Sequence, residues 1–462
     1  MPDRRVRAMD RKVNLTEGPI LKGLAKLAFP IMGTSLIQMA YNLTDMIWIG
    51  RVSSNAVAAV GAAGMYLWMA NGFATIPRMG AQVKAAHALG AGDEEKARDY
   101  ARAAFQIGTV LFLLVTLVYV AGNRPLIGFF KLNQESVVQD ARAYLVIVGL
   151  GMIFSFMNQI FTGIFTALGM SLVTFRSTLI GLGANIVLDP VFIFGVGPIP
   201  ELGVAGAALA TVLAQGIVFA MFLRNAGRTA LIFSGLGLRR KSSRQDVLDV
   251  VRIGLPVAVQ NTIFSSLSMI IARLVAGWGD AAVAVQKVGS QIESISWMMA
   301  DGFATAVNAF VAQNHGAGKR ERIRRGYFTA LGLMTAWGIF TSTLLIAFPE
   351  FFFRIFISET DILPMGVDYL RILGLSQLFM CLESTSAGAF QGLGKPMSPA
   401  VTGVLGNAAR IPMAILFSAT ALGLNGIWWS ISISSIAKGT IVTAWFWFVL
   451  RRYMRGNREA AR

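Results

Sequence analysis

Apolar residues along this chain gather in runs of 18 to 27, parted by short charged or polar segments. About 20 predominantly apolar residues are what a helix needs to cross the hydrocarbon core of a bilayer. Windows of that size predict helices near 25–50, 55–82, 98–122, 140–167, 173–197, 203–224, 249–277, 281–312, 325–346, 366–391, 397–421 and 424–450, twelve spans in all. The fold class is therefore all-α integral membrane. The first window follows a basic segment, but it is too long for a signal-peptide core and has no small-residue cleavage site, so it reads as retained.

The pattern repeats within itself. A shift of 226 residues lays Pro30 on Pro256, Val57 on Val283 and the Gly90-Ala91-Gly92 turn on Gly316-Ala317-Gly318. At a shift of 225, Tyr144 and Gly149 fall on Tyr369 and Gly374, and Gly163, Phe165 and Gly169 fall on Gly388, Phe390 and Gly394. Asn71-Gly-Phe-Ala-Thr75 returns as Asp301-Gly-Phe-Ala-Thr305. Six helices thus recur as six. Because six is even, both copies enter the bilayer from the same side, which predicts two six-helix lobes related by a pseudo-two-fold axis along the membrane normal. The expected organisation is an N-terminal arm (1–24), an N-terminal lobe (25–224), a linker (225–248), a C-terminal lobe (249–450) and a basic tail (451–462). A cleft between such lobes is the natural substrate site.

Composition agrees: 55% of the 462 residues are hydrophobic and only 14% charged, against roughly a quarter in soluble chains. The net charge of +17 would suggest nucleic acid in a soluble protein. Here the bases lie in loops, where a membrane surface accounts for them. Arg4, Arg5, Arg7, Arg11, Lys12, Lys22 and Lys26 precede or open the first span, and Arg239-Arg240-Lys241 follow the sixth. Residues 319–325 add five bases and the tail five more, all on one side, whereas the opposite loops carry Arg51, Arg124, Lys131 and Arg354. Both termini are expected in the cytoplasm of a cell with this protein in its inner membrane. The linker reads equally as a connector or as an anchor to lipid headgroups. The single cysteine, Cys381, excludes an internal disulfide framework, and two histidines leave metal chemistry little to work with.

No phosphate-cradling loop is present: Gly316-Ala-Gly318-Lys319 and Gly392-Leu-Gly394-Lys395 lack the leading glycine and the Ser or Thr after the lysine. Pumping must then draw on an ion gradient or a partner ATPase. Acids inside spans are the usual coupling device, and five stand out: Asp45, Asp189, Glu293, Asp301 and Glu383. Tyr41 and Asn42 lie one turn before Asp45, and Asn185 one turn before Asp189. The repeat sets Ile271 and Ala414 opposite these two acids, so the first lobe alone carries the pair. The competing structural readings are a hydrated carboxylate capping a turn for Asp45, and a carboxylate satisfying backbone at the Pro190 kink for Asp189. Glu293, Asp301 and Glu383 form a candidate polar site in the second lobe. Asp301 aligns with Asn71 and Glu383 with Asn158, so interhelical glue competes with function there. Asn42, Asn158, Asn185 and Thr211 are candidates for a cation or proton relay, with the same competing role. Met65, Trp68, Met69, Trp297 and Met298 could line a pliable pocket for apolar cations, or serve as core or lipid contacts.

Tyr41-Asn42-Leu-Thr-Asp45-Met-Ile-Trp48, following Pro30, and Asn185-Ile-Val-Leu-Asp189-Pro190 resemble the first and fifth helices of prokaryotic multidrug and toxic compound extrusion (MATE) transporters. The resemblance covers essentially the whole chain. It implies a secondary active transporter, not an enzyme, exporting organic and often cationic compounds in exchange for H+ or Na+ by alternating access. It also implies that Asp45 and Asp189 couple the ion, with Asn185 and Thr211 beside them, and that the first helix bends at Pro30. No cofactor is implied beyond the coupling ion, and no metal beyond Na+ at Asp45 and Asp189. The partners implied are a small organic substrate and the lipid bilayer, with no nucleic acid and a monomeric state. A branch of the family uses acids of the C-terminal lobe; here the seventh span offers Gln260 and Asn261 instead. Two rivals remain: a lipid-linked oligosaccharide flippase of the same superfamily, and a non-transporting receptor or scaffold. Only Arg273 and Arg410 are clear mid-span bases for a polyanionic headgroup, and a receptor needs no duplicated frame.

Overall fold

The computed structural model describes residues 13–130, 132, 134–356 and 362–455. Arg4, Arg5, Arg7, Arg11, Lys12, Lys131 and the tail from 456 lie outside the described residues. The first half contains α1 (Ile20–Val52), α2 (Ser54–Gly90), α3 (Glu94–Ala121), the short α4 (Asn123–Gly128), α5 (Glu135–Leu150), α6 (Met152–Ala167), α7 (Ser171–Phe194), α8 (Gly203–Arg228) and the short α9 (Ala230–Phe233). The second contains α10 (Arg244–Ala276), α11 (Asp280–Gly316), α12 (Arg320–Ala347), the short α13 (Pro349–Arg354), α14 (Leu363–Gly374), α15 (Gln377–Gly392), α16 (Met397–Ser418) and α17 (Leu424–Arg455).

Among the described residues nine helices are long and apolar enough to cross a bilayer, and α5 with α6, and α14 with α15, each form a span bent by 49° and 42°. α11, 37 residues, is long enough to cross a bilayer but, with Glu293, Asp301 and Asn308 along it, falls outside that set; counted as a span, it would make twelve among the described residues. The sequence windows at 140–167 and 366–391 are thus broken helices. The first breaks at Gly151, where a side chain would collide with Val212, while Gly149 sits against Tyr119. Hydropathy does not register such a break, because both arms remain apolar. Val110, Leu113, Leu114, Leu117 and Val118 form an exposed apolar stripe along α3, the face a bilayer would cover.

The repeat is carried into the helices. α1 and α10 both have 33 residues, α2 and α11 both 37, and α3 and α12 both 28. The Gly-Ala-Gly turns are helix stops: Gly92 and Gly318 adopt φ of 79° and 67°, and the amides that follow reach back to Ala88 O (2.9 Å) and Asn314 O (2.9 Å). Positive φ costs glycine little, so this backbone closure of a helix end selects it. Close approach repeats as well. A Cβ on Gly163 would strike the carbonyl of Arg78, and one on Gly388 the carbonyl of Ala304. Gly206 and Gly426 lie likewise against Phe192 and Phe417. Small residues let helix backbones touch where apolar burial alone gives no preference over lipid.

The chain divides into two compact units. The first comprises residues 13–14 and Gly33–Ala258, the second Leu15–Met32 and residues 259–455. The divisions therefore fall inside α1 and α10, two residues after Pro30 and Pro256, and not in the 225–248 segment where the sequence places the linker. That segment is pinned to α3 of the first unit. Arg102 Nε donates to Leu236 O (2.6 Å), Gln106 Nε2 to Leu238 O (3.0 Å) and Arg240 O (2.7 Å). Lys96 pairs with Asp246 (2.6 Å), and Asp249 accepts from Lys84 (3.2 Å) and Tyr100 (3.0 Å), so the start of α10 is tied down too. In the first unit the core centres on Tyr119, Phe156 and Ile193, and in the second on Phe353, Tyr369 and Trp428.

Gly163→Val and Gly388→Val are expected to destabilise by about 1–3 kcal/mol or more, since a carbonyl cannot yield. Gly61→Ala, whose methyl meets nothing within 4 Å, should hold or raise the melting temperature. Thermal unfolding in detergent distinguishes the two classes.

Candidate functional site

In the first unit α1 carries Tyr41 and Asp45 one turn apart on one face, and α7 carries Asn185 and Asp189 with the same spacing. Thr211 and Gln215 occupy successive turns of α8, Tyr144 lies on α5 and Asn158 on α6. Asp189 and Asn185 are fully buried, Tyr41 nearly so, and Asp45 partly. Asn185 Nδ2 donates to Asp189 Oδ1 at 2.9 Å. The Asp45 and Asp189 carboxyl groups lie close enough to interact directly. Tyr41 and Tyr144 stand within electrostatic reach of both acids, and the hydroxyls of both tyrosines approach Thr211. Asn158 Nδ2 donates to Gln215 Oε1 (2.9 Å) and Gln215 O (3.0 Å), fixing the α8 side of the cluster.

The cluster leaves several polar atoms unfilled, among them two hydroxyls that can donate as well as accept. Asp45 Oδ1, Asp189 Oδ2, Tyr41 Oη, Thr211 Oγ1 and Asn185 Oδ1 are buried without a hydrogen-bond partner. Among the described residues neither carboxylate takes part in an ion pair. Two neighbouring carboxylates away from water repel each other, and each also loses hydration. A proton shared between them, or a monovalent cation bound by the orphaned oxygens, relieves both penalties. The residues therefore fit an exchangeable cation. The hydrogen-bonded oxygen of Asp189 faces the Asn185 side chain, not the backbone near Pro190.

Asn42 is exposed and is not part of the cluster. Pro30 is inside α1, partly buried, in the segment that belongs to the second unit. In the second unit Glu293 accepts from Tyr369 Oη (2.6 Å) and Gln377 Nε2 (3.2 Å), and Glu383 pairs with Lys438 (3.3 Å). Arg410 is an electrostatic neighbour of both glutamates. Asp301 is exposed on α11, two turns beyond Glu293. Met65, Trp68, Met69 and Trp297 are exposed, which removes the core from their alternatives. The sequence reading singled out neither Tyr144 for this role nor Gln215 and Lys438 at all. Lys438 had a signal, a lone base inside an apolar span. Gln215 follows Thr211 by one turn, but only the packing of α8 shows that their face turns to the acids.

A family model described as MatE matches residues 30–191 and 256–416, the two halves of the repeat. A relative described as probable multidrug resistance protein NorM, from Thermotoga maritima, is 31% identical over 92% of each chain. Probable multidrug resistance protein YpnP of Bacillus subtilis is 25% identical over 91% of this chain and 93% of its own. Among solved structures, the outward-facing conformation of a multidrug resistance MATE family transporter of the MOP superfamily superposes with a TM-score of 0.88. It is 23% identical and covers 96% of this chain and 99% of its own, a likeness of fold.

Tyr144→Phe keeps the buried ring and deletes its hydroxyl. It should leave the protein folded and slow export by roughly five-fold, the effect of a hydrogen bond of about 1 kcal/mol, measured as efflux rate beside a melting curve.

Proposed function

Because the chain belongs to the MatE family, whose members are membrane transporters and not enzymes, we propose that it exports small organic, cationic and amphipathic compounds by exchange with a monovalent cation. The description of its relatives as probable multidrug resistance proteins supports drug-like organic compounds as the cargo. The observation that carries the coupling is the Asp45–Asp189 pair, side by side, one fully and one partly buried, with unpartnered oxygens and no basic partner among the described residues. Tyr41, Asn185 and Thr211 complete that site in this reading, and Asn42 stands outside it.

The cycle follows from charge. With both carboxylates ionised, the first unit attracts a cationic cargo. Entry of H+ or Na+ from outside cancels that attraction and releases the cargo, and loss of the ion to the cytoplasm restores it. Alternating access requires that ion and cargo compete and that the helix bearing Asp45 respond to which is present. Pro30 is suited to this, since proline removes a backbone hydrogen bond from α1. The protein works in this reading as a monomer in the inner membrane, with both termini in the cytoplasm.

Efflux of a fluorescent cation from vesicles, under a pH gradient alone and then a sodium gradient alone, identifies the ion. Asp45→Asn and Asp189→Asn should each abolish gradient-driven efflux while the folded protein remains in the membrane. Undiminished transport by both variants would dismiss the assignment.

A further inference from the structure

The second unit holds a buried charge cluster that the proposed coupling does not use. Glu383 and Lys438 form an ion pair at 3.3 Å with side-chain exposures of 16% and 8%. Arg410 donates to Ser434 Oγ (2.6 Å) and Ser435 Oγ (2.9 Å) and lies in the field of both Glu383 and Glu293. Glu293 is held by Tyr369 and Gln377. Two carboxylates thus meet two fixed cations, and the cluster is neutral by itself.

The internal repeat gives this arrangement its meaning. A Cβ on Gly181 of α7 would strike the side chain of Val218 on α8, and a Cβ on Gly406 of α16 would strike the stem of Lys438 on α17. The two packing sites are equivalent, so Lys438 stands where the first unit has a valine. One turn beyond these glycines come Asn185 and Arg410, and two turns beyond come Asp189 and Ala414. Tyr144 and Tyr369 correspond as well, one beside the aspartates and the other on Glu293. The same framework therefore surrounds acids without a base in one unit, and acids with two bases in the other. Gly406 leaves room for the methylenes of Lys438, so the lysine is built into the helix contact.

We propose that Lys438, flanked by Arg410, is a tethered counter-cation that occupies the place of a free ion at Glu383, keeping the second unit from exchanging monovalent cations and confining exchange to the first. Without Lys438, Arg410 alone faces Glu383 and Glu293, and the carboxylate charge left over must recruit a cation from solution or be protonated. Deleting the lysine charge should therefore open a sodium site at Glu383. This holds whichever ion the first unit exchanges, because it is read by binding and not by transport.

The test compares the purified wild type, Lys438→Met, and Lys438→Met with Glu383→Gln, each melted in sodium chloride and in choline chloride at equal ionic strength. The single variant should gain a sodium-dependent rise in melting temperature of about 2 °C over any response of the wild type. The double variant should lose that gain. A sodium response unchanged from wild type, or one that persists in the double variant, would overturn the proposal. Failure of Lys438→Met to fold in sodium chloride, with or without Glu383→Gln, would overturn it as well, since a mobile cation then cannot replace the ammonium.

Discussion

Like charges placed together where water is scarce are the constraint from which the working parts of this protein follow. Helices solve the backbone's hydrogen bonding in a bilayer, but they do nothing for a carboxylate. The first unit leaves two of them facing each other with oxygens unfilled, and only the amide of Asn185 is aligned on Asp189. Such an arrangement costs stability unless something positive visits it. The fold carries that cost in a frame of glycine-mediated helix contacts, which recur at equivalent places in the second unit.

The two units show how a duplicated frame can be given different tasks by few substitutions. Tyrosines 144 and 369, the glycine contacts and the helix stops are common to both. What differs is whether an acid meets another acid, as in the first unit, or a lysine and an arginine, as in the second. Charge balance, more than fold, separates the two sites.

Much of this was legible in the order of residues. The spans show as apolar runs, and Asp45, Asp189 and their neighbours one turn back announce themselves because ionisable groups are expensive in such runs. The breaks at Gly151 and after Gly374 were not legible, because each depends on a side chain from another helix standing where the glycine leaves room. The partners Tyr144 and Gln215 escaped for a related reason: helical spacing reveals which residues share a face, not which face meets an acid on a different helix. Asn42, one residue from Tyr41, shows the limit of spacing in the other direction, for it adjoins the cluster in sequence and is exposed. The division of the chain was hidden too, because a basic loop looks like a joint even when Arg102 and Gln106 fasten its carbonyls.

The placement of Leu15–Met32 in one unit and of the start of α10 in the other bears on how the protein is made. A ribosome that has just released the sixth span has not yet supplied all of the first unit, which waits for residues up to Ala258. The second unit draws on a stretch synthesised near the beginning, which must stay available until the last spans arrive. Biogenesis is therefore interlocked: the first half emerges before its full complement of native packing exists, and severing the loop would give two fragments each deprived of a piece the other carries.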